Sequence, residues 1–461
     1  GQVLAIAAVI MGGVATLVMA LSTYDSLYGT RERFYRDYGF ADVFANLKRA
    51  PDALAGRLAD IPGVDRLETR VVAAVKLEVP GFADPATGML TSLPDSGTAQ
   101  LNRLHLKRGR LPQPFDSHEV VVSDTFADAH GLQPGDRLYA IINGKRTALT
   151  LSGVALSPEY VYQIAPGAIF PDFKRYGVLW MGRHALALAY DMDGAFNELS
   201  LSLIPDADAQ AVIDRLDVLL APYGGIGAYG RENQFSNRFL TEELKQLRTT
   251  ATVFPAIFLG VAAFLLNVVI NRLIATQREQ IAILKAFGYR PVTILGHYIK
   301  LVLAITTVGV AAGIGLGAWF GHGLAGVYME FYRFPYLDYV LRPMVMATAF
   351  AATAGATLSG TLVAVWRAAR LPPAEGMRPE NPVTYRATLM ERLGLQRHLD
   401  QPTRMILRHI ERRPVKSLLT VLGIASACGL MMVGNYQSSA VEFMVDVQFR
   451  QAGREDMAVT F

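Results

Sequence analysis

The sequence predicts a membrane α-helical protein with five transmembrane helices and a large α/β (α+β) extracytoplasmic domain on helical stalks. Apolar residues make up 51% of the 461 residues, which is high for a soluble chain and low for one embedded entirely in a membrane. Five segments have no charge in their interiors, and each has the roughly twenty residues that a helix needs to cross a bilayer. The long polar region between the first two segments shows strand and turn patterns, so we expect it to fold in water.

The first apolar segment, Val3 to Leu21, continues into a stripe of side chains that repeats at helical spacing until Gly39. The stripe consists of Tyr24, Leu27, Tyr28, Arg31, Phe34, Tyr35 and Tyr38. A single helix of this length would measure about 54 Å and would project beyond the bilayer. Residues 1–38 are therefore predicted to be the first transmembrane helix plus a stalk. Because the chain begins with Gly1 and not methionine, we expect the natural N-terminus to lie upstream.

Residues 39–232 are predicted to form the extracytoplasmic α/β domain. Residues 119–122 have the pattern of a strand, and residues 123–130 that of a short helix with Ser123 as its N-cap. Asn143-Gly144 between two apolar runs is typical of a β-hairpin. Strand-rich and strand–helix parts indicate two lobes, whose boundary we place near residues 160–195.

The remaining chain is predicted to alternate between membrane helices and polar connections. The segments are a stalk helix plus second transmembrane helix (233–273), a short amphipathic helix (274–296), third and fourth transmembrane helices (297–321 and 343–366), a polar linker (367–416), a fifth transmembrane helix (417–436) and the start of a second repeat (437–461). In the second stalk, Phe235, Phe239, Leu244 and Leu247 are predicted to face inward. The short helix is expected to end at Gly288, because Pro291 blocks its continuation.

The distribution of basic residues predicts the orientation in the membrane. Lys and Arg outnumber Asp and Glu by eleven to five in 367–416 and by five to one in 272–300, whereas 321–343 carries two of each kind. By the positive-inside rule the first two segments are cytoplasmic and the third is external. The domain at 39–232 is then external too.

A short repeat suggests that the chain is the first half of a longer protein. Tyr35-Arg36-x-x-Gly39-x-x-Asp42 is matched by Phe449-Arg450-x-x-Gly453-x-x-Asp456, each soon after an apolar segment. We interpret the match as the start of a second copy of the external domain.

Motifs for chemistry are mostly absent from the sequence. No G-x-x-x-x-G-K-[ST] phosphate loop occurs, so any ATP would be bound by another chain. Asp124, Asp128 and His130 match no specific metal motif, and we expect them to be solvated surface residues. We therefore predict no catalytic residue, no metal, no cofactor and no nucleic-acid partner.

The apolar segments themselves suggest close helix packing and no polar path. Gly313, Gly317 and Gly321 form a small-residue face that would let helices approach closely in lipid. Because no segment has a charged residue in its interior, we expect no hydrophilic solute to cross between the helices.

The order of these elements resembles that of an ABC-transporter permease of the FtsX/MacB/LolC type (the FtsX-like permease family), and the duplication resembles its long two-repeat members. The resemblance lies chiefly in the run from Arg278 to Gly288, REQIAILKAFG. The family typically shows E-[IL]-[AG]-x-L-[KR]-A-[LMI]-G here; this chain has an extra Gln280 and a phenylalanine, Phe287, at the bulky position.

The resemblance implies that residues 274–296 hold a cytoplasmic coupling helix that docks on a dimeric ABC ATPase. The residues carried over by position are Arg278, Glu279, Ile281, Leu284, Lys285, Phe287 and Gly288. It also implies a multi-pass protein of a bacterial cell (inner) membrane, with membrane lipids and an external client or accessory protein as further partners.

The implied function is mechanotransmission, in which ATP hydrolysis by the partner is coupled to extracytoplasmic work on lipid, lipoprotein or hydrophobic clients. Two alternatives remain open. The same machine could activate an extracytoplasmic cell-wall hydrolase, or the chain could be a membrane-anchored external enzyme without an ATPase.

Overall fold

The computed structural model describes residues 2–370 except 96, 97 and 169, residues 414–447, and residues 372, 400, 401 and 403. Two compact units are present. The membrane unit consists of Gly1–Thr16, Val253–Gly315 and Ala347–Phe461. The head unit consists of Leu17–Thr252 and Leu316–Met346.

Long helices dominate the apolar parts of the chain. They are α1 (Gln2–Asp37), α6 (Phe235–Thr276), α8 (Pro291–Phe331), α9 (Pro343–Arg370) and α10 (Pro414–Asp446), with the short α7 (Arg278–Ala286) between α6 and α8. Among the described residues, four helices are long and apolar enough to cross a membrane: Val3–Asp37, Phe235–Thr276, Pro291–Phe331 and Pro343–Leu362. The predicted span at 417–436 lies inside α10 but is not one of these four, so a count of five is not confirmed.

One predicted boundary differs from the structure. The third apolar helix continues ten residues past its predicted end, because 322–331 contains no proline and α8 runs on to Phe331. Most of the predicted linker at 367–416, and residues 448–461 of the predicted second repeat, lie outside the described residues.

The head unit contains a small sheet built from distant parts of the chain. Its strands are β1 (Val43–Pro51), β2 (Val64–Arg70), β10 (Ala195–Leu203) and β11 (Ala228–Gly230), all antiparallel in the order β11-β1-β10-β2. The helices α2 (Leu54–Ala59) and α5 (Ala209–Leu220) cover one face. Leu199 and Leu201 on β10 and Val212, Leu216 and Leu220 on α5 are buried in the shared core.

The larger part of the head is a closed ring of strands, here called the large lobe (residues 72–189). Its strands are β3 (Val72–Glu78), β4 (Ala86–Leu93), β5 (His105–Gly109), β6 (Glu119–Ser123), β7 (Arg137–Ile142), β8 (Lys145–Leu156) and β9 (Tyr176–Gly182). The order is β5-β8-β6-β9-β4-β3-β7, and β7 also pairs with β8, so six strands close on themselves and β5 lies outside. The six strands of the ring, α3 (Asp124–His130) and α4 (Arg183–Ala189) share one buried cluster.

Local predictions in the large lobe are confirmed, and the lobe boundary is corrected. Asn143 and Gly144 have φ of 46° and 77°, as a two-residue hairpin turn between β7 and β8 requires. Ser123 occupies the N-cap position of α3, but its hydroxyl accepts a hydrogen bond from the Val178 backbone N–H. The chain enters the large lobe after Arg70 and leaves it before Ala195, so this lobe is inserted between β2 and β10. Of these two positions, only the second, before Ala195, lies near the boundary predicted at residues 160–195.

The turn after α1 contains Gly39 and Asp42, two residues of the predicted repeat motif. Gly39 has φ of 62°, a left-handed conformation that ends the helix. The Asp42 backbone N–H donates to the Leu201 carbonyl at 2.8 Å, and the Asp42 carboxylate lies 2.6 Å from the Arg231 guanidinium. Asp42 thus joins the end of α1 to β10 and to the segment before α6. The second copy of the motif, at 449–456, lies outside the described residues.

The inward face of the second stalk differs from the prediction. Leu244 and Leu247 are buried, as is Leu240, but Phe235 and Phe239 are 41% and 36% exposed. The buried leucines follow a spacing of four and three residues, which places both phenylalanines to one side of the stripe.

Candidate coupling site

The helix α7 is separated from its neighbours by two short breaks. Gln277 lies between the end of α6 and Arg278, the first residue of α7. After α7, Gly288 adopts φ of 90° and the Tyr289 backbone N–H returns to the Leu284 carbonyl at 3.2 Å. Pro291 then occupies the first position of α8, where its missing N–H costs no hydrogen bond. The stop signals predicted from Gly288 and Pro291 are confirmed.

The predicted coupling residues divide between two faces of α7. Ile281 is buried, together with Ala282. Glu279, Leu284, Phe287 and Gly288 are exposed, and Arg278 and Lys285 are half-buried. Phe287 lies about 120° from Ile281 around a helix with 3.6 residues per turn, so the two side chains do not share a face.

An exposed apolar surface results, which we name the coupling surface. It consists of Ile283, Leu284, Phe287, Tyr289 and Val292, and the side chains of Phe287 and Val292 are 80% and 72% exposed. Several large apolar side chains that are close together in sequence and exposed are typical of a contact with another protein or with the membrane. Ile283, Tyr289 and Val292 were not predicted, although their apolar character is visible in the sequence.

The predicted packing glycines lie at close helix approaches. A Cβ atom on Gly313 would lie 2.7 Å from the Val14 Cβ of α1, and one on Gly321 would lie 2.7 Å from the Ser22 Oγ. Gly317 is also buried. The close approach of α8 to α1 begins one turn earlier, at Gly309, where an added Cβ would lie 2.7 Å from the Ile10 side chain. Sequence analysis missed Gly309, although it extends the same four-residue spacing.

Polar side chains form hydrogen bonds between helices of the membrane unit. The Asn267 amide donates to the Gly360 carbonyl, and the hydroxyls of Thr306 and Thr357 lie 3.1 Å apart. These bonds join α6 and α8 to α9, as expected for polar groups between helices in lipid.

Of the two acidic residues of α3, Asp128 is exposed as expected, whereas Asp124 is buried, contrary to expectation. Asp124 is 2% exposed, and its carboxylate lies 2.7 Å from the Lys107 ammonium and 3.4 Å from the Arg333 guanidinium. His130 Nε2 lies 2.8 Å from the Lys174 carbonyl. Within the described residues no group of three His, Cys, Asp or Glu side chains could hold a metal ion.

Sequence analysis also missed a buried charge cluster in the head. The Arg70 guanidinium forms two hydrogen bonds to Glu159, at 2.6 and 2.7 Å, and lies 3.2 Å from Glu198. Arg70 and Glu198 face each other across β2 and β10, whereas Glu159 follows β8 in the large lobe. The Gln234 amide, just before α6, donates to the Glu159 carbonyl at 2.9 Å. The cluster therefore joins the small sheet, the large lobe and the start of α6.

The cluster contains two carboxylates but only one guanidinium, and this imbalance, together with burial, affects the protonation of Glu198. Burial, and repulsion from Glu159, raise the pKa of Glu198 from 4.5 to about 7 against the lowering effect of Arg70. Burial also raises the pKa of neighbouring Glu68, whose carboxylate accepts from the backbone N–H groups of Gln100 and Leu101.

We expect the head to become more stable as the pH falls from about 8 to about 5, because folding favours the protonated form of a carboxyl whose pKa is raised. The contribution of Glu198 is fully present below its unfolded pKa of 4.5 and is lost as the pH rises through about 7. Thermal unfolding of the full chain across this range should show a smaller pH dependence for Glu198→Gln. Glu78→Gln, at an exposed carboxylate paired with Arg146, is the control. Equal pH profiles for wild type and Glu198→Gln would contradict the assignment.

Comparison with known proteins gives matches to membrane permeases. Residues 252–373 match the model of the FtsX-like permease C-terminal family. An uncharacterized ABC transporter permease protein of Mycobacterium tuberculosis is 24% identical over 277 residues, which are 59% of this chain and 30% of that protein. The chain thus spans about a third of the length of the curated relative it matches.

Solved structures of two extracytoplasmic regions are also similar. The extracellular domain of the ABC-type transporter YknZ from Gram-positive bacteria has 12% identity and a TM-score of 0.29, covering 41% of this chain and 98% of that chain. The periplasmic region of MacB from Actinobacillus actinomycetemcomitans has 12% identity and a TM-score of 0.27, covering 46% and 95%.

The four apolar helices and the family match establish a multi-pass membrane protein. The head unit is the large extracytoplasmic domain.

Proposed function

This chain carries an FtsX-like permease domain at residues 252–373, and from it we propose that the chain is the transmembrane subunit of an ABC transporter acting by mechanotransmission. In this proposal a dimeric cytoplasmic ATPase binds and hydrolyses ATP, and the present chain has no catalytic role. The chain carries the resulting movement across the membrane to the head, which works on a lipid, lipoprotein or other hydrophobic client.

The observation that carries the proposal is the continuity of α6. It is one helix of 42 residues that includes Pro255, and a helix of this length measures about 63 Å. Its first residue closely follows β11 of the small sheet, and one residue, Gln277, separates its last residue from α7. In this proposal a displacement of α7 would be passed on through the continuous helix α6.

The coupling surface supports a protein partner on α7. Phe287 is among the most exposed large apolar side chains of the described residues, at 80%. Burying such a side chain contributes roughly 1.5–3 kcal/mol to an association. Glu279, which is also exposed, would add charge complementarity that sets the register of docking.

The polar contacts inside the membrane unit support a function in which the chain acts on its client at the head. They do not favour transport of a hydrophilic solute between the membrane helices. In the described apolar spans, Asn267 and Thr306 contact α9 through hydrogen bonds inside the bundle. A path for a hydrophilic solute would need charged or polar groups open to it. The client is therefore expected to meet the chain at the head or in the surrounding lipid.

The test is a pull-down of the full chain in mild detergent, with ATP hydrolysis measured in the eluate. Wild type is expected to retain an ATP-hydrolysing subunit. Phe287→Asp should lose it, because a carboxylate would be buried in an apolar contact. Phe115→Asp makes the same change at a 65% exposed side chain of the head and should leave the association intact.

Two outcomes would count against the proposal. Wild type could elute without ATPase activity, or Phe287→Asp could retain as much of it as Phe115→Asp. Lipid or an external hydrolase in the wild-type eluate would distinguish client handling from hydrolase activation.

A further inference from the structure

The connection between α8 and α9 is attached to the head along its length. Residues 332–342, which we name the strap, contain no helix or strand. Near one end the Arg333 backbone N–H donates to the Val161 carbonyl at 2.8 Å, and near the other the Val340 N–H donates to the Ser26 hydroxyl at 3.0 Å. An irregular segment held at both ends in this way is a structural link, not a free loop.

The strap runs alongside α1. The Phe334 ring meets Phe34 edge-on at 6.1 Å, and the Tyr339 hydroxyl lies 2.8 Å from that of Ser22. Two ion pairs add to these contacts, Arg33–Asp338 at 2.8 Å and Arg342–Asp25 at 3.6 Å. These partners extend from Ser22 to Phe34, twelve residues and so about 18 Å of helix.

The Arg333 side chain contacts the large lobe, unlike the strap residues that contact α1. Its guanidinium lies 3.4 Å from the buried Asp124 carboxylate and 3.7 Å from Asp128, both on α3. Next to it, the buried Tyr332 ring lies 5.2 Å from Tyr162, in the segment after β8. The strap is therefore bound to the large lobe by an ion pair, a backbone hydrogen bond and an aromatic contact.

The two stalk helices, in contrast, enter the small sheet. The helix α1 leads into β1, and β11 leads into α6. The large lobe is inserted between β2 and β10, so neither stalk continues into it. It packs against the sides of the stalks. The Tyr38 hydroxyl meets His105, the Ser236 hydroxyl accepts from the Tyr162 N–H, and Leu156 and Val161 share a buried cluster with residues of α1 and α6.

We propose that the head is moved through two separate attachments, the small sheet through α1 and α6, and the large lobe through the strap, with Arg333 as the positioning residue that joins strap and lobe. The inference rests on the proposed function and deepens it. Unequal movement of α1–α6 and α8–α9 would turn the large lobe against the small sheet. The charge cluster of Arg70, Glu159 and Glu198, which spans both parts, lies where such a rotation would act.

The inference predicts a selective effect of Arg333→Gln. The variant should fold, because Asp124 keeps its ion pair with Lys107 at 2.7 Å. Hydrogen exchange of the full chain in lipid nanodiscs, with its co-purified ATPase, would be compared without nucleotide and with ATP plus orthovanadate. In wild type both the small sheet and α3 should change their exchange on adding nucleotide, whereas in Arg333→Gln only the small sheet should respond.

Two further variants separate positioning from general loosening. Arg333→Lys keeps the positive charge and should restore a part of the response of α3. Arg342→Gln removes an ion pair from the same strap that does not touch the large lobe, and it should behave as wild type. Without nucleotide, Arg333→Gln should already exchange faster in α3 than Arg342→Gln does.

The outcomes distinguish the inference from the function on which it rests. A wild-type protein whose head does not respond to nucleotide would overturn the proposed function. A wild-type response that persists in α3 of Arg333→Gln would overturn the separate attachment alone. Equal resting exchange of α3 in Arg333→Gln and Arg342→Gln would also overturn it.

Discussion

Replacing Arg70 with alanine is expected to destabilise the head by about 3–5 kcal/mol, the cost of leaving buried charge without its partner. The side chain of Arg70 is 7% exposed, and those of Glu159 and Glu198 are 5% and 14% exposed. Once the guanidinium is removed, two carboxylates face each other in a site that water barely reaches. The pKa of Glu198 should then rise further, because its nearest positive charge is gone.

Thermal or denaturant unfolding of the full chain measures this effect. Arg66→Ala is the matched control, because Arg66 lies on the same strand with a 55% exposed side chain paired only to its neighbour Asp65. An exposed pair of this kind contributes about 0–1 kcal/mol. Adding Glu198→Gln to Arg70→Ala should recover part of the loss, since one of the unpaired charges disappears. Equal losses for Arg70→Ala and Arg66→Ala would show that the cluster does not support the head.

Replacing Gly313 with alanine is expected to destabilise the membrane unit by about 1–3 kcal/mol, as overpacking does. The added Cβ would lie 2.7 Å from the Val14 Cβ and 3.0 Å from the Met11 carbonyl oxygen. Neither atom is the mobile end of a side chain, so α1 and α8 would have to move apart. The substitution should lower the thermal stability of the protein in detergent.

Gly315 gives a control with the opposite expected sign. It lies two residues further along α8, and a Cβ there would meet no atom within 4 Å. Alanine is favoured over glycine inside a helix by up to about 1 kcal/mol, so Gly315→Ala should be neutral or stabilising. If both substitutions changed stability in the same direction, the close approach of α1 and α8 at Gly313 would be refuted.

Elements with strong local signals could be predicted from the sequence. The apolar helices, the hairpin at Asn143-Gly144 and the helix starting at Asp124 all depend on residues that are near neighbours in the chain. The insertion of the large lobe could not be predicted in the same way. It depends on the pairing of β1 with β10, which are far apart in sequence. The point after Arg70 where the chain passes into the large lobe is marked by no glycine, proline or change in composition.

At the candidate coupling site, too, the features that depend on neighbouring residues could be predicted, and those that depend on distant residues could not. The end of α7 follows from Gly288 and Pro291, whereas the outward position of Phe287 depends on which side the bundle covers. Glu159 and Arg70 are 89 positions apart, and Arg333 and Asp124 are 209 positions apart. Charged residues at such separations resemble ordinary surface residues until the fold brings them together.

The closed ring of the large lobe has a consequence for assembly outside the cell. An unpaired strand edge is a template on which other chains can aggregate. Among the described strands of the head, edges remain at β5, which carries Lys107 and Arg108, at the three-residue β11, and at β2, which carries Asp65, Arg66 and Glu68. Charge and shortness discourage stacking at each of them, so many copies of the head can crowd one membrane surface without sticking together.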